Sequence, residues 1–475
     1  MRICYTLAHK FMLRRIIIIF GYISLVLTIV VFTAALVAYG NDYSYDFSTH
    51  RIIQKGHVII DSLPSGVQIT EDGKLLKKKT PYQAAYKVGE HTFGLIKDGF
   101  WPWQKVLKVV AGRVTLANYV IFVPKQPVTT VLDSRLQITA QSISKDHRHL
   151  AYISGGIDPA VYTLDIGSKK VVKLYTPKAA APPVPAEVMR DVAWSDDASH
   201  LLLTSDIGGQ PTHRLAEASG GTEPQNLTQS FGFNLTGLKF SGSNWHQLYW
   251  VSPDGLRRLD VGSNTVSSVL ADKVTQFWIQ NDRVLYAAQT DLGRSLWSLD
   301  SKDKRQEIIQ ALVDSDTYDV SLTRYNGEDE LAVVPSKTGI ATLYSGIFGD
   351  TPVAKVVAKG VTGVNFAPDG HLLALTSPTT VSVYDLESSF IDNTFVLYTA
   401  ANQTGTLTSL TWFDSAHMLA IRDGALYWSE YDGANSVNLG KTYGILPAYA
   451  SGDTRSIVMY SPTQTEVKIT QLQIH

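Results

Sequence analysis

A short motif recurs along residues 126–475 and limits this part of the chain to few folds. Each copy has an apolar anchor residue, an aspartate three positions later and a short apolar strand beyond it. The four clear copies are Ile143–Asp146 before Leu150–Ile153, Trp194–Asp197 before Leu201–Leu203, Phe366–Asp369 before Leu372–Leu375, and Ala450–Asp453 before Ile457–Tyr460. Weaker copies lie near Phe240, Trp278, Leu322 and Trp412, and the anchors are about 44 residues apart on average. A period of about 40 to 45 residues predicts the four-stranded blades of a β-propeller.

The eight anchors predict eight blades for residues 126–475, with seven as the alternative because the copies at Trp278 and Leu322 are weak. Third strands of the blades are visible at Tyr162–Asp165, Leu296–Asp300, Val383–Leu386 and Leu426–Trp428. The last repeat, Leu446–Ile474, leaves room for only about three strands. We expect Val128–Leu132, which is apolar and β-branched, to supply the missing outer strand and close the ring.

The turn of the repeat carries a resemblance to a known family. Ala367-Pro368-Asp369-Gly370 resembles the turns of TolB-like propellers of the bacterial envelope, and the Trp-Asp dipeptide of the related WD repeats is missing. The resemblance covers about 340 residues and implies a propeller, without indicating what it binds.

An apolar segment near the N-terminus predicts a membrane-spanning helix. Residues 16–38 include no charged side chain, and about 20 such residues suffice to cross a bilayer. Arg2, Lys10, Arg14 and Arg15 precede this segment, so residues 1–15 should form a cytoplasmic tail and the remainder should lie outside the membrane. A cleaved signal peptide is the alternative interpretation.

Residues 39–56 are polar with several aromatic side chains, and we expect a short stalk close to the lipid headgroups. The single cysteine, Cys4, precedes the apolar segment, so the exported part can form no disulfide.

Residues 57–125 alternate apolar and polar side chains in short runs, and Asp72-Gly73 between two runs predicts a β-hairpin. This region resembles the PEGA domain, a β-rich module of bacterial and archaeal envelope proteins. The matching segments are Pro64-Ser65-Gly66-Val67, Asp72-Gly73, Thr80-Pro81, Gly89-Glu90-His91 and Lys97-Asp98-Gly99-Phe100. The resemblance implies a module for display and contact, not for catalysis.

Charge argues against nucleic acid as a partner. Residues 126–475 contain 26 Lys and Arg against 36 Asp and Glu, a net charge of -10, whereas nucleic-acid binding requires cationic side chains at the phosphates. The Gly-x-Ser-x-Gly elbow of α/β-hydrolases is also missing, so no hydrolase domain accompanies the repeats.

Five segments contain residues that could form a binding site, and each also has a plainer structural interpretation. Asp146–His149 and Asp314–Asp319 contain metal-ligand residue types, but we favour a solvated turn for the first and expect no EF-hand in the second. The Trp101-Pro102-Trp103 segment could stack on sugars, and we favour a packing role in the core. Lys77-Lys78-Lys79 could meet anionic polymer or lipid, and we favour a lysine-protected strand edge. Thr176–Glu187, rich in proline, predicts an extended insertion.

We therefore predict a mainly β protein that is noncatalytic and anchored in the cell membrane by a single pass, presenting a propeller to a protein partner in the cell envelope. We predict no cofactor, no metal and no nucleic acid, and assign no catalytic or binding residue. The alternatives are a binder of cell-wall or surface polysaccharide and an enzyme that uses the central channel of the propeller.

Overall fold

The structure, a computed structural model, describes residues 2–475 except 48–49, 234, 243, 281, 350–351, 389–394, 401–403 and 445, with side chains from Arg15 onward. The chain divides into two compact units. The first extends to Gln126 and includes His475, and the second comprises Pro127–Ile474.

The first unit begins with helix α1 (Arg2–Gly40), whose segment Arg15–Gly40 has a mean hydropathy of 2.7 and no part buried. Its large apolar side chains are exposed on every side, among them Phe20, Leu27 and Phe32. Such a helix is unstable in water and is long and apolar enough to cross a membrane, as predicted for residues 16–38. Both a retained span and a signal sequence have this length and composition.

The predicted stalk contains a β-hairpin, which its polar composition did not indicate. Strands β1 (Tyr43–Asp46) and β2 (Arg51–Gln54) pair in antiparallel register. Asp42 lies 2.8 Å from His57 Nε2, and Asp46 lies 3.0 Å from Lys87 Nζ. These ion pairs fasten the hairpin to the strands that follow, so the segment is not a free linker.

Seven strands then form a small β-sandwich. They are β3 (Gly56–Leu63), β4 (Gln68–Glu71), β5 (Lys74–Lys79), β6 (Tyr82–Tyr86), β7 (Gly89–Ile96), β8 (Trp103–Val109) and β9 (Val114–Ile121). The sheets have the orders β6-β3-β9 and β5-β4-β7-β8, and strands β3 and β9 run parallel. Asp72 and Gly73 form the predicted turn with φ of 46° and 79°. Val58, Phe93 and Leu95, all fully buried, form the core between the sheets.

The second unit opens with β10 (Thr129–Arg135), and its next strands form four sheets. These are β11 (Ile138–Ile143), β12 (His149–Ser154), β13 (Ala160–Asp165) and β14 (Val171–Tyr175); β15 (Glu187–Trp194), β16 (His200–Ile207), β17 (Gln210–Glu217) and β18 (Gln225–Asn226); after helix α2 (Leu227–Phe231), β19 (Lys239–Ser241), β20 (Asn244–Ser252), β21 (Gly255–Asp260) and β22 (Thr265–Val266); then β23 (Val274–Gln280), β24 (Arg283–Thr290), β25 (Gly293–Leu299) and β26 (Arg305–Leu312).

The remaining strands continue the same pattern. They are β27 (Tyr318–Tyr325), β28 (Glu328–Pro335), β29 (Ile340–Ser345) and β30 (Val353–Lys359); β31 (Gly363–Phe366), β32 (Leu372–Thr376), β33 (Val381–Asp385) and β34 (Leu397–Thr399); β35 (Leu407–Trp412), β36 (His417–Arg422), β37 (Ala425–Glu430) and β38 (Val437–Lys441); and β39 (Tyr449–Ala450), β40 (Ser456–Pro462) and β41 (Val467–Gln473).

The described residues of this unit form eight antiparallel four-stranded blades, so the prediction of eight blades is confirmed. The last blade has the order β10-β41-β40-β39, with Thr129 opposite Leu472 and Arg135 opposite Val467. The predicted closure of the ring by the segment before the first repeat is therefore confirmed.

The aspartate of the repeat shapes the turn after the inner strand. Ser195 Oγ donates to Asp197 Oδ1 (2.6 Å), which also accepts the backbone N–H of Ser199 (3.1 Å). Ser144 with Asp146 and Ser451 with Asp453 repeat this arrangement. Serine and aspartate thus satisfy the backbone of a tight turn, which explains their spacing.

Side chains also join the inner strands of neighbouring blades. An inner strand has one edge without a strand partner, and its carbonyl groups need donors. Several come from a neighbouring blade, either the following or the preceding one: Trp194 Nε1 to Ser142 O (3.0 Å), Gln276 Nε2 to Tyr318 O (3.0 Å), Gln280 Nε2 to Val320 O (2.8 Å), Thr411 Oγ1 to Ala448 O (2.7 Å) and Trp412 Nε1 to Asn365 O (3.2 Å). Two of the aromatic anchors therefore bond blade to blade as well as packing.

Candidate functional site: the loop face of the propeller

The propeller has two faces, defined by its connections. We call the loop face the one formed by the segments that lead into the inner strands and those between the second and third strands. The turn face carries the aspartate turns and the connections between third and fourth strands. Because every blade is an antiparallel meander, these two sets of connections lie at opposite ends of the strands.

Exposed apolar side chains concentrate on the loop face. Among the described residues of the second unit, the large apolar side chains exposed there are Leu136, Ile157, Val184, Val188, Phe233, Leu292 and Val313. The corresponding residues elsewhere are Phe395 on the turn face and Val128, Val131, Val353 and Val356 on or beside outer strands. A group of exposed apolar side chains on one face of a protein is typical of a surface that contacts another molecule.

Two of these side chains lie together above the first blade. The backbone N–H of Gly155 donates to the carbonyl of Gln137 (3.0 Å), which joins the segment containing Leu136 to the segment containing Ile157. Ile157 is 94% exposed. Leu136 and Ile157 therefore form an apolar projection available to a partner.

The proline-rich segment Thr176–Glu187 is a loop on the loop face, before the inner strand of the second blade, and the predicted extended conformation is wrong: Ala181 and Val184 exchange backbone hydrogen bonds of 3.0 and 2.8 Å, so the segment folds back on itself. Its Pro185 packs against Gly208, where an added Cβ would lie 2.9 Å from Pro185 Cγ. Gly208 also has φ of 61°, a conformation that glycine adopts without strain. The insertion is thus held against its own blade, with Val184 exposed beside it.

A buried ion pair fixes the end of this insertion. The side chains of Glu187 and Arg214 are 0% and 4% exposed, and Arg214 Nη1 donates to Glu187 Oε1. Tyr175 Oη (2.6 Å), Ser205 Oγ (2.5 Å) and the backbone N–H of Lys178 (3.1 Å) also donate to Glu187. Burial alone raises the pKa of Glu187, but these hydrogen bonds and Arg214 outweigh it and lower the pKa below its usual value.

The second pair of exposed residues lies over the fourth and fifth blades. Leu292, 90% exposed, occupies the turn between β24 and β25, and Val313 precedes β27. Arg294 links the two segments because its guanidinium donates to the carbonyl of Ser315 and lies 3.3 Å from Asp314. This anchoring keeps Leu292 and Val313 on neighbouring segments.

A pocket of about 460 Å³ opens among the fifth, sixth and seventh blades. Its lining includes Asp319, Asn365, Ser377, Leu407 and Leu410. Asp319 Oδ2 accepts the backbone N–H of Val364 (2.8 Å), yet partial burial dominates and raises the pKa of Asp319. The lining combines polar and apolar side chains and includes one carboxylate, that of Asp319. Among the lining residues named here, no nucleophile contacts a base.

The metal-ligand residue types noted in the sequence do not converge. His147 Nδ1 lies 3.0 Å from the carbonyl of Ala450, and His149 Nδ1 lies 3.6 Å from Asp165, so the two rings have different partners. Asp146–His149 lies in the turn between β11 and β12, with Asp146 and Arg148 exposed. In the other segment, Asp314 faces Arg294 while Asp319 caps Val364.

The tryptophans at 101 and 103 have different environments. Trp103 is 4% exposed and belongs to the sandwich core, as favoured, whereas Trp101 is 45% exposed. The core interpretation is wrong for Trp101, because Trp101 lies before strand β8 begins and is not placed on the inward face that the strand gives Trp103. Lys77, Lys78 and Lys79 lie exposed on β5, an edge strand, in the placement that the edge interpretation predicted.

Comparison with known proteins adds little beyond this geometry. No protein-family model and no curated protein sequence matches the chain. Among solved structures, it is similar to the Dos1 propeller (TM-score 0.45, 11% identity, covering 74% of this chain and 95% of that one). It is also similar to a chain of the mitotic checkpoint complex (TM-score 0.38, 13% identity, 74% and 93%) and to a prolyl endopeptidase (TM-score 0.46, 10% identity, 70% and 55%). The propeller assignment rests on the strand pairing of the chain itself.

The loop-face residues were not singled out from the sequence. Ile157 stands in Gly155-Gly156-Ile157-Asp158-Pro159 and Leu292 in Asp291-Leu292-Gly293, so each is an isolated apolar residue among turn formers. A turn normally selects Gly, Pro, Asn, Asp and Ser, and an exposed aliphatic residue there contributes nothing to folding. That mismatch is the signal that could have identified them.

Proposed function

We propose that this chain is a noncatalytic, membrane-anchored envelope protein whose propeller binds a protein partner through its loop face. The observation that carries the proposal is the concentration of exposed apolar side chains on that face, from Leu136 to Val313. Desolvating apolar side chains is the main favourable term in protein association.

The composition of the face favours protein over polysaccharide. Sugar-binding surfaces present aromatic rings, because their apolar faces stack on pyranose rings. Of the exposed large apolar residues described on the loop face, six are aliphatic and Phe233 is aromatic. Aliphatic side chains pack against the apolar parts of another protein, so we favour a protein partner.

The anchor completes the proposal. The cationic side chains before the apolar segment favour a cytoplasmic N-terminus, and the β-sandwich and propeller then follow outside the membrane. The exposed Tyr43, Tyr45 and Phe47 come directly after the helix, at the depth of the lipid headgroups where aromatic residues are favoured. The likeness of residues 57–125 to PEGA modules supports an envelope location.

The proposal is tested by a pull-down from envelope extract with the full-length protein, beside a glycan array. The test variant carries Ile157→Asp and Leu292→Asp, and the control carries Phe395→Asp on the turn face. We expect a protein that the wild type and the control retain and the test variant loses. Glycan binding without a protein partner would contradict the proposal.

Retention of the anchor needs its own measurement. The mature protein from membranes should begin at residue 1 or 2 and should resist extraction with alkaline carbonate. An N-terminus between residues 35 and 42 would instead show cleavage of a signal sequence.

A further inference from the structure

We propose that Glu71, Asp72 and His91 form a binding site for a divalent transition metal, with Zn²⁺ as the ion that best fits the donor set. Each residue offers one ligand atom, and the three atoms lie within 4.8 Å of one another. One imidazole nitrogen with two carboxylate oxygens is a donor set that zinc binds in proteins. The site joins the β4–β5 turn of the sandwich to strand β7.

The hydrogen bonding of His91 fixes which nitrogen is available. His91 Nε2 lies 2.9 Å from the carbonyl oxygen of Lys87, which can only accept, so Nε2 carries the proton. Nδ1 then presents a lone pair. A histidine that ligates a metal commonly donates its other ring N–H to a backbone carbonyl in this manner.

The unprotonated nitrogen points at a carboxylate. Nδ1 of His91 is buried, makes no hydrogen bond and lies 3.3 Å from Glu71 Oε1. A neutral imidazole nitrogen and a carboxylate oxygen at this distance repel each other unless a metal ion or a proton lies between them, and the proposal places a metal ion there. In a tetrahedral zinc site with bonds of about 2.0–2.1 Å, neighbouring ligand atoms are about 3.3–3.4 Å apart, so this pair already has the separation required.

The third ligand is held in place by the turn. Asp72 Oδ1 accepts the backbone N–H of Thr92 (2.9 Å), which directs the carboxylate toward the strand that carries His91. The rings of Tyr86 and Phe93 lie 5.1 Å and 6.4 Å from the His91 ring and limit its rotation. Three protein ligands leave a fourth position for water or for a group from another molecule.

The site is tested by titrating the EDTA-treated full-length protein with Zn²⁺ in a calorimeter. We expect one zinc ion per chain, and affinity lowered at least about tenfold by each of His91→Gln, Glu71→Gln and Asp72→Asn. Asp72→Asn is the variant least disturbing to the fold, because asparagine tolerates the φ of 46° found at this position. Ca²⁺ should not displace the zinc.

His371→Gln is the matched control. His371 Nδ1 lies 2.6 Å from Asp369, a histidine–carboxylate pair in the propeller outside the proposed site, so the variant should bind zinc as the wild type does. Circular dichroism establishes that each variant is folded. Absence of stoichiometric zinc binding would overturn the proposal, and so would equal affinity in all variants. Neither outcome bears on the partner of the loop face.

Discussion

Single residues decide how the loops of the propeller are held. Glu187 and Arg214 are both buried, and the carboxylate also accepts donors from Tyr175, Ser205 and Lys178. A buried ion pair is stable only when its remaining hydrogen-bonding capacity is met, as it is here for Glu187. Because Lys178 belongs to the proline-rich insertion, this cluster links the insertion to the second blade.

Glu187→Gln should destabilise the protein by about 3–5 kcal/mol, since it leaves Arg214 buried without a counter-charge. The double variant Glu187→Gln with Arg214→Met should lose less, because it removes both charges while the glutamine side-chain oxygen can still accept from Tyr175 or Ser205. Urea unfolding followed by tryptophan fluorescence measures both. If the single and double variants lost equal free energy of unfolding, an unpaired Arg214 charge would not be the cause of the destabilisation.

The turn aspartates make stability depend on pH. Burial raises the pKa of Asp146, Asp197 and Asp453, but serine hydroxyl and backbone N–H donors outweigh it and lower each pKa below its usual 3.8. These carboxylates therefore bind protons more tightly in the unfolded chain than in the folded one. Their contribution to the free energy of unfolding is complete above about pH 5 and is lost as the pH falls below about 4.

The melting temperature of the wild type should accordingly fall from pH 5 to pH 3. The triple variant Asp146→Asn, Asp197→Asn and Asp453→Asn should melt lower at pH 7 and change less between pH 5 and pH 3. Melting curves by circular dichroism test this. Parallel pH dependence in the two proteins would show that the aspartates are not responsible.

At the scale of elements, the last blade depends on strands from both ends of the second unit. Strand β10 pairs with β41 through a register that includes Thr130 opposite Gln471. The closing strand also contacts the first blade, because Asp133 accepts from Tyr152 and Arg135 stacks 3.8 Å over the Tyr162 ring. Separation of β10 from β41 would therefore expose the edge of β41 and the side chains of the first blade that β10 contacts.

A disulfide between Thr130→Cys and Gln471→Cys, in a Cys4→Ser background, should form on oxidation and raise the melting temperature. Directly opposite residues have Cβ atoms about 4.5–5.5 Å apart, and closing so long a loop is worth several kcal/mol. The pair Thr130→Cys and Lys468→Cys is offset by three residues, about 10 Å, and should stay reduced. Cross-linking of the offset pair instead would contradict the register.

Elements with a periodic or turn signal were predictable from the sequence. The inner strands end at anchors such as Ile143 and Trp194, and Asp72-Gly73 forms its hairpin turn, because these features depend on local geometry. The β1–β2 hairpin was missed because each strand has only four residues and no strong turn dipeptide separates the two in the sequence. Exposure of Trp101, and the meeting of Glu71 with His91, depend on tertiary placement that no local pattern encodes.

At the scale of the whole molecule, the chain combines one apolar helix with two β units. The helix is long and apolar enough to cross a membrane, the sandwich follows it in the sequence, and the propeller provides a large rigid surface on which loops vary without disturbing the strands. The loop face carries the apolar side chains that would be buried with a partner, including Ile157 and Leu292.

Photo-crosslinking in native membranes tests this central claim most directly. The full-length protein would carry p-benzoylphenylalanine at Ile157 or Leu292 on the loop face, or at Phe395 or Val353 as controls elsewhere. We predict that irradiation gives a common, protease-sensitive adduct from the two loop-face positions and none from the controls. Equal adducts from both sets of positions, or none from Ile157 and Leu292, would contradict the account.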